Sequence, residues 1–125
     1  NQLGFICYQQ SRTEEAIRAF QEAVHLRPDH ADAHNYLGMA LSSKGRLDEA
    51  VSQIQEALRL ERDNAEAHYN LGVALAQKGQ TDEAIRQFQE ALRLKPDFAY
   101  ARRSLEVVLA AKARSSQPTG ASTNR

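Results

Sequence analysis

Apolar residues recur along this chain at helical spacing, in paired blocks separated by short polar breaks. Ala33, Leu37, Ala40 and Leu41 form one block; Lys44-Gly45-Arg46 interrupts it; Ala50, Val51, Ile54, Ala57, Leu58 and Leu60 form the next. The pattern then restarts with Leu71, Ala74 and Leu75, the break Lys78-Gly79-Gln80, and Ala84, Ile85, Phe88, Ala91, Leu92 and Leu94. Steps of three and four place each block on one face of a helix, and the alternation of a strand is absent. The chain is expected to be all-α.

The blocks themselves repeat every 34 residues. Gly4, Gly38 and Gly72 fall in one column, Ala16, Ala50 and Ala84 in a second, and Ala23, Ala57 and Ala91 in a third. Self-similarity at this period marks stacked helical hairpins, each unable to bury its apolar face alone. The expected units are a partial repeat at 1–30, full repeats at 31–64 and 65–98, and a single helix over 99–112. Two helices cross closely only where a side chain is missing, so Gly38 is expected to face Ala50 and Ala57 to face the next hairpin. The last unit has Glu106 in the glycine column, tolerable only where no second helix packs. Residues 99–112 therefore read as a capping helix and 113–125 as a disordered polar tail.

Helix boundaries carry their own chemistry. Asp29, Asp63 and Asp97 stand where each new hairpin begins, suited to accept bonds from first-turn amides. Asp63 with Glu66 resembles a capping box, and Asp29 with Asp32 a weaker one. Pro28 and Pro96 end the preceding helices, with Arg62 in the matching middle position. Gly45 and Gly79 suit the positive φ of a tight turn, whereas Ser11 occupies that column in the first unit at a conformational cost.

Composition narrows the function. Lys and Arg number 16 against 16 Asp and Glu, so no net field recruits nucleic acid or a membrane surface. The balance is uneven: residues 1–98 carry 11 basic and 15 acidic groups, net −4, and residues 99–125 carry 5 and 1, net +4. The single cysteine, Cys7, excludes an intrachain disulfide and shares a core column with Leu41, Leu75 and Leu109. No run of about eighteen apolar residues is present to span a bilayer. The chain opens partway through the first helix of a unit, as a piece of a longer polypeptide would, so signals that set its compartment are expected to lie elsewhere. A cytoplasmic setting, or the soluble part of a membrane-associated protein, fits what remains.

With these residues in hand, the chain resembles the tetratricopeptide repeat family over residues 1–112. Ala67-His68-Tyr69-Asn70-Leu71-Gly72, Asp82-Glu83-Ala84-Ile85 and Ala91-Leu92-Arg93-Leu94-Lys95-Pro96 carry the likeness; Ser11, Arg62, His34 and His68 depart from the family pattern. The resemblance implies a right-handed α-solenoid of antiparallel helical hairpins with a C-terminal capping helix. Its first helices would line a concave groove for a peptide or protein, as in scaffolds and in bacterial appendages of larger enzymes or membrane proteins. One subgroup clamps carboxylate tails; its places fall on Asn1, Phe5, Tyr36, Glu66 and Asn70, and only Asn70 fits. Another runs an asparagine ladder along Gln2, Tyr36, Asn70 and Ser104, again with one match. Neither specificity transfers.

The residues expected to face the groove lie opposite the packing column of each first helix. The candidate set is Phe5, Asn35, Tyr36, Met39, Tyr69, Asn70, Val73, Arg103 and Val107. Phe5, Met39, Val73 and Val107 share one column and form an apolar stripe. Asn35, Tyr69, Asn70 and Arg103 flank it as orienting groups. The bland alternative is that the stripe fills space between adjacent first helices. His30 and His34 have a spacing that can ligate zinc, yet no third ligand stands in register, so a structural role is expected. Glu14/Arg18 and Asp82/Arg86 read as a solvated outer face. No phosphate loop, nucleophile triad or paired carboxylates can be assembled, so no catalysis and no cofactor or metal is expected.

Three readings of function follow. The first is an interaction scaffold holding a peptide or protein segment. The second is a self-assembly or spacer domain stacking end to end through the apolar face around Leu3 and Ile6. The third is a non-catalytic accessory domain of a larger enzyme such as a bacterial glycosyltransferase-like protein.

Overall fold

Each glycine break does become a turn. The computed structural model describes the backbone of residues 2–116 and the side chains of residues 12–115, and among these no strand occurs. Six helices follow in order: α1 (Gln2–Leu26), α2 (Ala31–Ser43), α3 (Leu47–Leu60), α4 (Ala65–Gln77), α5 (Thr81–Leu94) and α6 (Ala99–Ser116). Gly45 and Gly79 adopt φ of +80° and +84°. The Arg46 amide then donates to the Leu41 carbonyl at 2.9 Å and the Gly45 amide to Ser42 at 3.0 Å, with Gln80 to Leu75 and Gly79 to Ala76 repeating the pattern. These paired bonds close the helix end and reverse the chain, which only a residue without Cβ does at no steric cost.

The first unit departs from the expected hairpin. Residues 2–26 form one uninterrupted helix that runs through Ser11. Without a glycine, the left-handed turn is unfavourable and the helix continues. Residues 12–26 still occupy the place of a second helix, as the ion pairs below demonstrate. Cys7, Leu3 and Ile6 lie outside the residues whose side chains are described. At the other end α6 runs to Ser116, four residues beyond the expected cap, and 117–125 lies outside the described residues.

Helix starts sit one residue later than the aspartates suggest. Pro28-Asp29, Arg62-Asp63 and Pro96-Asp97 form the turns themselves, and His30 and Asn64 are the N-caps of α2 and α4. Asn64 Oδ1 accepts from the Ala67 amide at 3.0 Å; His30 makes no such bond. The aspartates are spent at turn positions, where fixed proline φ and a short polar side chain suit the backbone.

The core fills the seams between consecutive helices. Ala50, Ala57, Ala84 and Ala91 are wholly buried, as are Ile54 and, at 1% exposure, Phe88. The glycines meet these larger residues rather than the alanine methyl. A Cβ at Gly38 would overlap Ile54 and lie 3.1 Å from the Ala50 carbonyl oxygen; at Gly72 it would lie 2.6 Å from the Phe88 ring. Ile54 and Phe88 are one period apart, so the same lock closes both hairpins.

Two further devices recur along the array. His34 bridges Gln53 and the Pro28 carbonyl oxygen, 2.8 Å from each. His68 bridges Gln87 and the Arg62 carbonyl at 2.7 and 3.0 Å. In the same column Arg102 donates to the Pro96 carbonyl at 2.7 Å. Each latches a first helix to the turn that precedes it. Between units, Lys44 pairs with Glu14 at 3.1 Å, Lys78 with Asp48 at 2.5 Å and Lys112 with Asp82 at 2.6 Å. These ion pairs cross from one hairpin to the next, whereas Arg86 pairs locally with Glu83 rather than with Asp82.

Curvature follows from which helices touch. The backbones of α2 and α4, and of α4 and α6, approach closely, whereas α3 makes no comparable backbone approach to α1 or α5. First helices close up where small and apolar residues meet, and second helices splay. The result is an α-solenoid with an inner wall of α2, α4 and α6.

Candidate functional site

The inner wall is hollow in two adjoining places. One hollow of about 330 Å³ is lined by Asn35, Tyr36 and Met39 from α2, Glu66, Tyr69 and Asn70 from α4, and Phe98 and Tyr100 at the start of α6. A second, of about 250 Å³, continues it between α2 and α4 along Met39, Ser42, Ser43, Tyr69, Asn70, Val73 and Gln77. Met39, Tyr69 and Asn70 belong to both.

Of the nine candidate residues, the structure brings six together here: Asn35, Tyr36, Met39, Tyr69, Asn70 and Val73. Arg103 and Val107 are exposed on α6 but line neither hollow. Phe5 lies outside the residues whose side chains are described. Ser42, Ser43, Glu66, Gln77, Phe98 and Tyr100 line the hollows in addition to the set. Phe98 sits in the turn before α6, where periodicity assigns no face, and Ser42 occupies a position that reads as packing.

The asparagines behave differently from one another. Asn35 is 2% exposed, and its side-chain oxygen accepts from the Asn70 amide at 2.9 Å. Two helical turns on, Ser42 donates to the Gln77 side-chain oxygen at 3.2 Å. Both bonds span 35 residues and stitch α2 to α4 in register. A buried carboxamide needs such a partner, at a cost of about 1–3 kcal/mol if it is removed. Asn35 is therefore a tie within the wall and not the ligand-orienting group expected of it, whereas Asn70 keeps hydrogen-bonding capacity toward the hollow.

Aromatic rings form the floor and rim. Tyr69 stands 5.2 Å from Phe98, 5.9 Å from Phe88 and 6.4 Å from Tyr100, centroid to centroid. Tyr36 leans on Phe20 at 5.7 Å. Phe88 and Phe98 are buried, but Tyr36 and Tyr100 are 41% and 72% exposed and Met39 45%. This aromatic and thioether surface therefore stays open to solvent between α2, α4 and α6. Glu66 is the one ionised group of the lining.

A larger hollow of about 520 Å³ lies around Leu58, Arg59, Arg62, Asp63, His68, Glu90 and Arg93. Its charges are largely spent on one another or on the fold. Arg59 pairs with Glu56 and Arg93 with Glu90, holding both carboxyls below their ordinary range, and His68 is latched to Gln87 and Arg62. No group of three metal-ligating side chains occurs among the described residues, and no described helix is long and apolar enough to cross a membrane.

Comparisons agree with this fold. The family model of the tetratricopeptide repeat matches residues 8–62 and, overlapping, 41–99. Comparison with curated proteins finds no match. Among solved structures, the first TPR of Spaghetti (RPAP3), bound to the HSP90 peptide SRMEEVD, aligns at 21% identity with a TM-score of 0.79. It covers 90% of this chain and 89% of its own. YrrB, described as a TPR protein with an unusual peptide-binding site, is 30% identical with a TM-score of 0.73 over 83% of this chain and 54% of its own. A mutant O-GlcNAc transferase of Thermobaculum terrenum is 30% identical with a TM-score of 0.74, over 82% of this chain and 20% of its own.

Proposed function

Because the chain belongs to the tetratricopeptide repeat family, a fold whose members include peptide-binding domains, we propose that it is an interaction module gripping a peptide or protein segment along the inner wall. The observation that carries this reading is the pair of adjoining hollows lined by Tyr36, Met39, Tyr69, Asn70 and Val73. Apolar side chains of the segment bury against Met39 and Val73, and Asn70 sets its direction. The chain acts by binding, without catalysis of its own.

The test starts from peptides selected on the chain from a random display library. Met39→Glu combined with Val73→Glu places two carboxylates in the apolar seat. Binding of the selected peptides drops at least tenfold, about 1.4 kcal/mol or more, while the circular dichroism spectrum is retained. Met39→Glu alone, at an exposed position, gives part of the loss. Unchanged affinity in both variants rules the inner wall out.

A second reading has its own support. Leu109 on α6 is 44% exposed in the column where Leu41 and Leu75 are buried, an apolar position suited to packing against another copy or another repeat. Sedimentation of the same samples distinguishes it. The match to one fifth of a transferase chain likewise supports a role as a repeat array within a larger enzyme.

A further inference from the structure

We propose that the hollow between α2, α4 and the start of α6 seats a cationic side chain, lysine or arginine, of the bound segment. This deepens the inner-wall reading and rests on it. Three tyrosines reach this one hollow from three different helices: Tyr36 from α2, Tyr69 from α4 and Tyr100 from α6. Tyr100 is 72% and Tyr36 41% exposed, so much of each ring stays open beyond its contacts with Tyr69 and Phe20. The Tyr100 ring lies 6.4 Å from Tyr69 with 32° between planes, forming a shallow corner with aromatic faces rather than a flat stack.

The electrostatics of the lining have one sign. Glu66 is its single ionised residue, and no lysine or arginine contributes to it. The nearest arginine on α6 by sequence after Tyr100 is Arg102, which is committed to the Pro96 carbonyl; Arg103 follows it and does not line the hollow. The chain before α6 carries net charge −4. Ring faces carry partial negative charge, and a cation within about 6 Å of a centroid is attracted to them. The structure itself contains one such contact: Lys95 Nζ lies 5.1 Å from the centroid of Phe98, the buried ring at the base of the same hollow. That leaves the tyrosines and Glu66 for a cation supplied from outside. A purely apolar anchor would leave Glu66 and the phenol hydroxyls facing hydrocarbon, which is unfavourable. An acidic anchor would meet Glu66 directly.

The experiment uses three blocked, fluorescently labelled helical peptides that share two leucines and differ at one neighbouring position: lysine, norleucine or glutamate. The lysine peptide binds the wild-type chain about tenfold more tightly than the norleucine peptide, and the glutamate peptide binds weakest. Raising the salt concentration narrows the gap. Tyr100→Ala with Glu66→Gln, both at exposed positions, cuts the lysine preference to twofold or less with an unchanged circular dichroism spectrum. Equal binding of lysine and norleucine overturns the cation seat, as does failure of the lysine peptide to bind at millimolar concentration. If that equal binding is nonetheless lost in the Met39→Glu, Val73→Glu variant, the inner-wall reading stands without the cation. If the double variant changes no peptide's affinity, both proposals fall.

Discussion

The glycine column reads Gly38, Gly72, Glu106, and comparing the two hairpins with α6 shows why. In α2 and α4 that position faces Ile54 and Phe88, with no room for even a methyl group. In α6 it is exposed. The neighbouring leucine column tells the same story: Leu41 and Leu75 are 2% and 6% exposed, Leu109 44%. α6 keeps the half of the pattern that seals α5, with Ala101 fully buried and Leu105 and Val108 packed on the core. It relaxes the half that would meet a second helix. A column's chemistry is set by its packing partner, not by the helix that carries it.

The sharpest way to break this comparison is to put the same side chain in both places. Gly72→Val drives a branched side chain into the Phe88 ring and costs about 3 kcal/mol, whereas Glu106→Val changes stability by less than about 0.5 kcal/mol. Urea denaturation measures both; similar losses would mean that the hairpin does not close on that ring.

A smaller effect separates the turns from the uninterrupted first helix. Gly79→Ala forces an L-residue to φ +84° and lowers stability by about 1 kcal/mol. Ser11→Gly, in the interior of α1, weakens that helix by up to about 1 kcal/mol instead of improving a turn. Thermal melts followed at 222 nm read both. A stabilising Ser11→Gly would indicate that the first unit folds as a hairpin.

The smallest effect concerns the inter-unit ion pairs. The hydrogen bond and charge of Lys112 hold the Asp82 carboxyl below its ordinary value of 3.8. A carboxyl depressed in the folded state stabilises it above the unfolded value, and that contribution fades as pH falls from about 4 through the folded value. Lys112→Met therefore lowers stability slightly at neutral pH and makes no difference in strong acid. Salt also erases the effect, since both partners are exposed. Urea midpoints for the two proteins, taken from neutral to acid pH, should converge at the acid end; parallel curves would exclude the pair as a contributor.

Helix type and the hinge glycines were legible because they depend on local spacing and on the special φ of Gly45 and Gly79, whereas α2 and α4 start one residue beyond the place the aspartates suggest. The inner-wall residues were mostly legible too, since opposite faces of a helix follow from its period. Other features were not local. Asn35 and Asn70 both read as groove-facing, yet one is consumed by the other because α2 and α4 approach within hydrogen-bonding reach. Phe98 belongs to a turn, and only the packing of α6 on α4 brings it under Tyr69. The cross-unit ion pairs, Glu14 to Lys44 and Asp82 to Lys112, span helices that sequence spacing alone would have paired within themselves.

The 34-residue period, the small residues in register and the glycine turns belong to the sequence by itself, because each is a matter of steric fit between near neighbours. Which polar groups are spent inside the wall, and which rings converge on an open hollow, was decided by tertiary structure. Those outcomes depend on distances between hairpins, and such distances emerge only when α2, α4 and α6 close against one another while α3 and α5 splay apart.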